Sequence, residues 1–394
     1  MSTTAEPAGA VRPRSNGQIL AVLAGVSALG SAAVHMLVPG LPALAEDLAV
    51  SPRVAQYAIS FYLFGLAAGQ LTAGPLADRA GRRPILIAGV ALHVTGAVLA
   101  ALAPTIVMLC AGRVVQALGA GAALVAARVI AGDIYGRSEA GRGQARLMAI
   151  VLLSPAVAPV IGGVISGTAG WRAVLAVQAA LAVAGLLAAW RFLPETRAEG
   201  RPETVPLARA YARLAANRRF WRTALAIALC SSSLYIFLAA APFILIDLWG
   251  FTAQQAGLSL MTTAFTAIGG TFLVAPLESR VDTFRTGVAI TLGGALLALA
   301  FGLAAVDGWA ALMVPAMVAT LGVGIAAPSG MGRIVHSEEG LAGTAASVSG
   351  ALQMLAGGLG ASAFGAAASP SILAIGVAMT VVAGLAFVAA PKRA

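Results

Sequence analysis

Three polar side chains stand inside otherwise apolar runs of this sequence: His35 in "SAAVHMLVPGLP" (31–42), and Arg113 with Gln116 in "RVVQALGAG" (113–121). An imidazole with an ordinary pKa of about 6.5 gains or loses a proton near neutral pH. A guanidinium keeps its charge throughout, and Gln116 follows Arg113 by one helical turn on the same face. Such groups suit the holding of a proton or the hydrogen bonding of a solute. The small neighbours Ala28, Ser31 and Ala32 on the helical face of His35 leave room for a cavity. All fifteen acids can be placed, and none falls centrally in an apolar run. His93, in the third run, reads as structural, and His336 as a solvated loop residue.

The elements that hold these groups follow from composition. Of 394 residues 59% are hydrophobic and 10% charged, and mean hydropathy is +0.91, which excludes an ordinary soluble domain. Crossing a bilayer takes roughly 20 apolar residues. Twelve such runs are present, near 17–38, 55–77, 85–104, 107–131, 144–167, 173–193, 222–244, 255–277, 286–305, 310–332, 343–366 and 371–390. Backbone groups in lipid must be paired within the segment, and no ten-residue alternation suggests a barrel, so the runs predict helices. The first lacks a convincing cleavage site and reads as a retained helix. Arg113 then lies about 10 Å into the fourth helix, where an unpaired guanidinium costs at least ~2.5 kcal/mol.

Of the 25 Lys and Arg residues, 21 fall in the two termini and every second loop, and the intervening loops hold only Arg53 and Arg172. The positive-inside rule makes both termini cytoplasmic. The net charge of +10 is then topological and calls for no nucleic acid. Arg128, near a helix end, can snorkel. Cys110 and Cys230 fall in separate runs and read as buried thiols. One long polar stretch divides the chain into an N-terminal tail (1–16), a six-helix half (17–193), a cytoplasmic linker (194–221), a second half (222–390) and a short tail (391–394). In the linker Leu207, Tyr211 and Leu214 recur at helical spacing among arginines, the pattern of an amphipathic surface helix. "GPLADR" (74–79) and "APLESR" (275–280) end the second and eighth helices, 201 residues apart. Paired six-helix repeats are an architecture of secondary transporters, with the substrate site between the halves.

"GPLADRAGRRPI" (74–85) resembles the loop signature of the major facilitator superfamily at Gly74, Asp78, Arg79, Gly81, Arg82 and Arg83. "RVVQALGAG" resembles the fourth-helix motif of its proton-coupled members. "SPAVAPVIGG" (154–163) resembles the fifth-helix motif of antiporters, with Ala158 where many members have Gly. "WRFLPETR" (190–197) and "GLAGTAASVSGALQ" (340–353) narrow the resemblance to drug exporters of the Bcr/CflA type, including chloramphenicol and florfenicol exporters. It implies an all-α fold of twelve membrane helices in two pseudo-symmetric halves. It implies a protein of the bacterial inner membrane that exchanges small-molecule drugs, phenicols foremost, for protons by alternating access, and nothing in the sequence requires more than a monomer. Members carry an acid in a first-helix stretch resembling "DMYLPALP"; here His35 stands at that position.

Each motif also has a plainer reading. His35 could replace the acid as proton carrier, hydrogen-bond a drug while neutral, or satisfy a neighbouring helix. Arg113 and Gln116 could line the cavity or bond backbone carbonyls. In the loop, Gly74 and Gly81 suit close packing and a tight turn, and the arginines anchor one membrane face. Asp78 opposes the dipole of the helix it ends and needs a partner that can be made and broken. Pro155, Pro159, Gly162 and Gly163 form a kinked, small-sided face, a pivot or an ordinary packing surface.

No phosphate loop, HExxH or GxSxG motif, metal set or cofactor motif appears in the sequence, which points to an ion gradient and away from an enzyme. Tyr235, the serines 231–233, Gln353 and Arg113 in apolar surroundings suit a neutral amphiphile. Asp247, at the outer end of the seventh helix, is an alternative proton site. An importer or uniporter of another solute, or a transport-dead sensor, is the competing expectation.

Overall fold

The computed structural model describes residues 16–196, 207–338 and 341–392, with side chains at all of these except 16, 78, 135–150, 152, 207, 208 and 210. Tail residues 1–15, linker residues 197–206 and the last two residues lie outside the described residues. In chain order α1 (Asn16–Leu37) passes through a 3-10 turn into α2 (Leu41–Asp47), and α3 (Pro52–Ala55) leads to α4 (Tyr57–Ala80) and α5 (Arg82–Ala101). A long helical run, α6 (Ile106–Phe192), and the short α7 (Leu207–Ala216) follow. The second part holds α8 (Arg218–Pro242), α9 (Ala253–Glu278), α10 (Thr283–Leu303), α11 (Trp309–Val335), α12 (Ala342–Ala367) and α13 (Ile372–Ala389). Helix starts are marked by capping side chains. The Thr105 hydroxyl accepts from the Met108 N–H, Thr252 and Gln255 form a reciprocal capping box, and Asp282 accepts from the Arg285 N–H. Each satisfies a backbone donor that a helix leaves unpaired.

A straight α6 would be about 130 Å long, several times a bilayer. Its contacts resolve it into three crossings. Gln116 donates to Gln178 and Thr196 to Asp133, so the first crossing (Ile106–Ile134) and the third (171–192) run parallel. The second (153–169) runs parallel to α1, because Ser154 donates to the Ala28 carbonyl and Gly162 lies against Met36. Gly170, with φ of +82°, makes the turn into the third. The charged stretch 133–146 predicts a break between the fourth and fifth helices, and the chain reverses between residues 134 and 153: the first crossing is antiparallel to α1 through Arg113–Ala33 and Ala120–Gly30, the second parallel to it.

Ten described stretches are long and apolar enough to cross a membrane. Leu153–Phe192, at 40 residues, makes two crossings, and the Ala-, Gly- and Ser-rich α12 is the twelfth. α7 is amphipathic: the buried Leu214 and half-buried Tyr211 pack it onto the core of the second half, and Arg209 and Arg213 are exposed.

Lipid offers no hydrophobic drive between helices, so small residues must let backbones meet. A Cβ on Gly96 of α5 would lie 2.1 Å from the backbone nitrogen of Gln116, and one on Gly294 of α10 would lie 2.4 Å from that of Ala319. The same device therefore joins α5 to the first crossing of α6 and α10 to α11. Across the halves, Gly358 and Gly365 of α12 fit against Phe64 of α4 and Gln56 just before it, and Arg53 donates to Ser369 at 3.1 Å. Gly257 of α9 fits against the Pro159 carbonyl, and Gly163 against Ala253. These approaches gather toward the arginine-poor end of the bundle. Cys110 and Cys230 are buried free thiols.

A Cβ on Gly163 would lie 2.3 Å from the Ala253 carbonyl of the opposite half. Gly163→Val should therefore penalise the closed seam by about 1–3 kcal/mol without altering either half. With Cys110 and Cys230 replaced by Ala, thiol labelling of Ser60→Cys, enclosed on α4, should accelerate about fivefold or more in Gly163→Val. An unchanged rate would show that this contact does not hold the seam.

Candidate functional site in the helix bundle

α1 presents one open face. Ala21 and Gly25 are exposed, Ala28, Ser31 and Ala32 are half-buried, and His35, at 7% exposure, ends the series. The residues recur at spacings of three and four, so they share a helical side. Nothing lies within 4 Å of a Cβ built on Gly25. The stripe of small residues thus leads from the arginine-rich end up to an imidazole. The His35 Nδ1–H donates to the Ser31 carbonyl at 2.8 Å. A carbonyl only accepts, so this bond fixes the tautomer and leaves Nε2 as an acceptor in the neutral ring.

Arg113 and Gln116, expected from the sequence at a cavity wall, are completely enclosed within the N-terminal half. Arg113 Nη1 donates to Gln116 Oε1 at 2.8 Å, Nη2 to the Ala33 carbonyl at 3.1 Å and Nε to the Ala58 carbonyl at 3.4 Å. Its guanidinium carbon lies 3.9 Å from the centre of the Tyr62 ring, and the Tyr62 hydroxyl donates to the Gly30 carbonyl. Gln116 donates onward to Gln178 at 2.9 Å, and Gln178 donates to Ala33. The His93 Nδ1–H donates to the Gln116 carbonyl at 3.0 Å. The network joins α1, α4, α5 and two crossings of α6. Carbonyl dipoles and a ring face, not a carboxylate, neutralise the cation.

Gly162 and Gly163 face opposite ways. A Cβ on Gly162 would lie 1.9 Å from the Met36 carbonyl, next to His35 in sequence, while Gly163 meets the other half. Pro155 and Pro159 lie in the same crossing, and the Pro159 carbonyl packs on Gly257. One short helical segment therefore touches both the histidine-bearing helix and the seam.

The loop after α4 engages its own half. Gly81 takes φ of +99°, a turn that a side chain would strain, and its amide neighbours point at a carboxylate. The Arg82 and Arg83 N–H groups donate to Glu195 at 3.0 and 3.2 Å. Arg82 Nε lies 3.5 Å from Asp133, and Arg83 donates to the Trp190 carbonyl. Arg79 is exposed. Gly74, expected to permit close packing, faces open space. The Asp78 side chain lies outside the described residues. In the second half the equivalent pair is inverted, with Asp282 at the start of α10 bound to Arg333 near the end of α11.

On the second half Ser231 donates to Gln353 Oε1 at 3.2 Å, and the half-buried Tyr235 hydroxyl reaches the Met354 sulfur at 3.7 Å. Asp247 is exposed on a π turn at the arginine-poor end, a rim position away from both clusters. Reasoning from the sequence missed Tyr62, Gln178 and Glu195 as partners. Gln178 was the one with a signal, being an amide in the middle of an apolar run.

The Major Facilitator Superfamily model matches residues 20–365. The chain belongs to that superfamily. It is a membrane transporter of the superfamily's twelve-helix fold. It is 31% identical over 309 residues to a "Chloramphenicol resistance protein" of Pseudomonas aeruginosa, covering 76% of this chain and 71% of that one. It is 26% identical over 354 residues to "Multidrug resistance protein D" of Escherichia coli K12, covering 89% of each. Among solved structures, a D-xylose-proton symporter superposes with a TM-score of 0.74 at 15% identity, over 94% of this chain and 97% of that one. A bacterial homolog of the human lysosomal transporter Spinster, in an inward-facing unoccupied conformation, does so at 0.74 and 18%, over 95% and 98%.

Lysine has a point charge where Arg113 uses a planar fork on three separate acceptors. Arg113→Lys should therefore cost about 2 kcal/mol and Arg113→Ala about 3–5 kcal/mol, read as unfolding in detergent. A lysine variant as stable as the wild type would show that the bonds to Ala33 and Ala58 are dispensable.

Proposed function

We propose that the protein exports hydrophobic or amphiphilic drugs, phenicol antibiotics foremost, in exchange for protons. In this reading it sits in the bacterial inner membrane as a monomer with both termini cytoplasmic. Substrate enters from the arginine-rich, cytoplasmic end, the halves rock about the seam, and release follows on the other side. The carrying observation is the open stripe of α1 that ends at His35, the one titratable side chain on that face. The names of the relatives support drug efflux, since the two described above are named for resistance to chloramphenicol and to multiple drugs.

In the proposed cycle His35 Nε2 takes a proton on return of the empty carrier. The resulting imidazolium, with Nδ1–H still on Ser31, gains no carboxylate, so the charge is easily given up when an apolar drug occupies the stripe. Gly162, pressed on the Met36 carbonyl, transmits the change in α1 to the crossing that also forms the seam. Tyr235, Ser231 and Gln353 supply hydrogen-bonding groups from the opposite half. Arg113 and Gln116 hold α1 and α4 in place behind the site, acting as positioning residues. The loop Gly74, Asp78, Arg79, Gly81, Arg82 and Arg83 serves as the cytoplasmic gate, through the bonds of Arg82 and Arg83 within the N-terminal half. Asp247 is the alternative proton group.

In everted membrane vesicles carrying a pH-sensitive dye, chloramphenicol or florfenicol should evoke proton efflux with wild-type protein. The signal should fall to background in His35→Gln while drug binding persists. Binding without any proton signal in the wild type would exclude proton exchange for these compounds. Loss of the signal in Asp247→Asn and its survival in His35→Gln would move the carrier to the rim.

A further inference from the structure

At the arginine-rich end of the second half, a cavity of about 360 Å³ opens between the start of α8 and the end of α13, lined by Arg218, Arg219, Arg222, Pro391 and Lys392. Four cations share this space, and among the described residues none of them is paired with a carboxylate. Arg222 is the built member. Its Nε donates to the Ala389 carbonyl at 3.0 Å, which ties α8 to α13 and fixes one wall of the cavity. Asn217 caps α8 through the Phe220 N–H, so the positive end of a 25-residue helix adds to the same field.

The apolar side of this cavity continues straight along the bundle. Leu225 of α8 is 47% exposed, and Leu385 and Val388 of α13 are 55% and 76% exposed. Trp221, 37% exposed, stands one residue before Arg222 at the boundary, the level at which indoles settle in a bilayer. A ligand fitting here has an anionic head at the cations and hydrocarbon beside the leucines and valine. Scattered topology charges need no such pairing of a cation-lined hollow with an adjoining hydrocarbon track.

We infer that this cavity binds the headgroup of an anionic phospholipid from the cytoplasmic leaflet, with its acyl chains along the outer faces of α8 and α13. The leaflet assignment rests on the orientation proposed above; the site itself does not. By clamping the ends of α8 and α13 together, the lipid stabilises the second half as a unit against which the first can move.

Native mass spectrometry of the full chain, released from micelles doped with phosphatidylglycerol or with phosphatidylcholine of the same acyl chains, tests this. Wild type should retain phosphatidylglycerol in preference to phosphatidylcholine, which has the phosphate but no net charge. Arg218→Gln combined with Lys392→Gln leaves the Arg222 bond to α13 intact, and retention should fall about fivefold per cation removed. Arg209→Gln combined with Arg213→Gln removes the same charge from α7, outside the cavity, and should leave retention unchanged. Equal loss in both double variants would reduce the effect to general surface charge and overturn the site. So would equal retention of the two lipids by wild type.

Discussion

The first half of the molecule is organised around a cation that meets no anion among the described residues. Arg113 sits where hydrocarbon would otherwise be, and the cost of stripping water from a guanidinium has to be met by neighbours already in place. Two of those neighbours are carbonyls at Ala33 and Ala58, on different helices, and a third is an amide fixed in turn by Gln178. Such an arrangement is satisfied only when α1, α4 and the two outer crossings of α6 hold one register. The charge thereby makes the half a single body, and His35, two residues beyond Ala33, inherits its position.

The two kinds of contact in the bundle differ in what is lost when they part. Within the first half, hydrogen bonds to buried groups would be left unmade, a heavy penalty in a low dielectric. Across the seam, much of the contact is glycine against carbonyl and ring, where separation forfeits dispersion alone. Rocking about such a surface is physically cheap compared with loosening a half. Gly162 and Gly163 lie at the junction of the two regimes.

Much of this was legible from residue order. Hydropathy revealed the crossings, glycine and proline spacing the packed faces, and the matching helix ends "GPLADR" and "APLESR" the two halves. The buried arginine was visible too, but the sequence left open whether it faced a cavity or carbonyls. Its acceptors are backbone atoms, which carry no sequence signal. Gly74 misled for a related reason, since a glycine needed for closeness and one tolerated in open space look alike in sequence. The charged stretch 133–146 marks the reversal between the first two crossings of α6, as charge counting indicated. Glu195 escaped notice because an acid in a polar linker has no distinguishing pattern until the amides of Arg82 and Arg83 are brought beside it.

The inverted ion pairs at the arginine-rich end have a consequence for where the first half ends. In the second half the anion, Asp282, sits at the positive pole of α10, so ion pair and helix dipole favour the same arrangement. In the first half the cation, Arg82, occupies the positive pole of α5, and the two are opposed. Glu195 restores the balance by accepting from both leading amides, and Thr196 braces Asp133 from the other side. The autonomous unit therefore extends past the last membrane crossing. A first half severed at residue 193 would keep all six of its helices and lose the counter-charge that lets one of them begin.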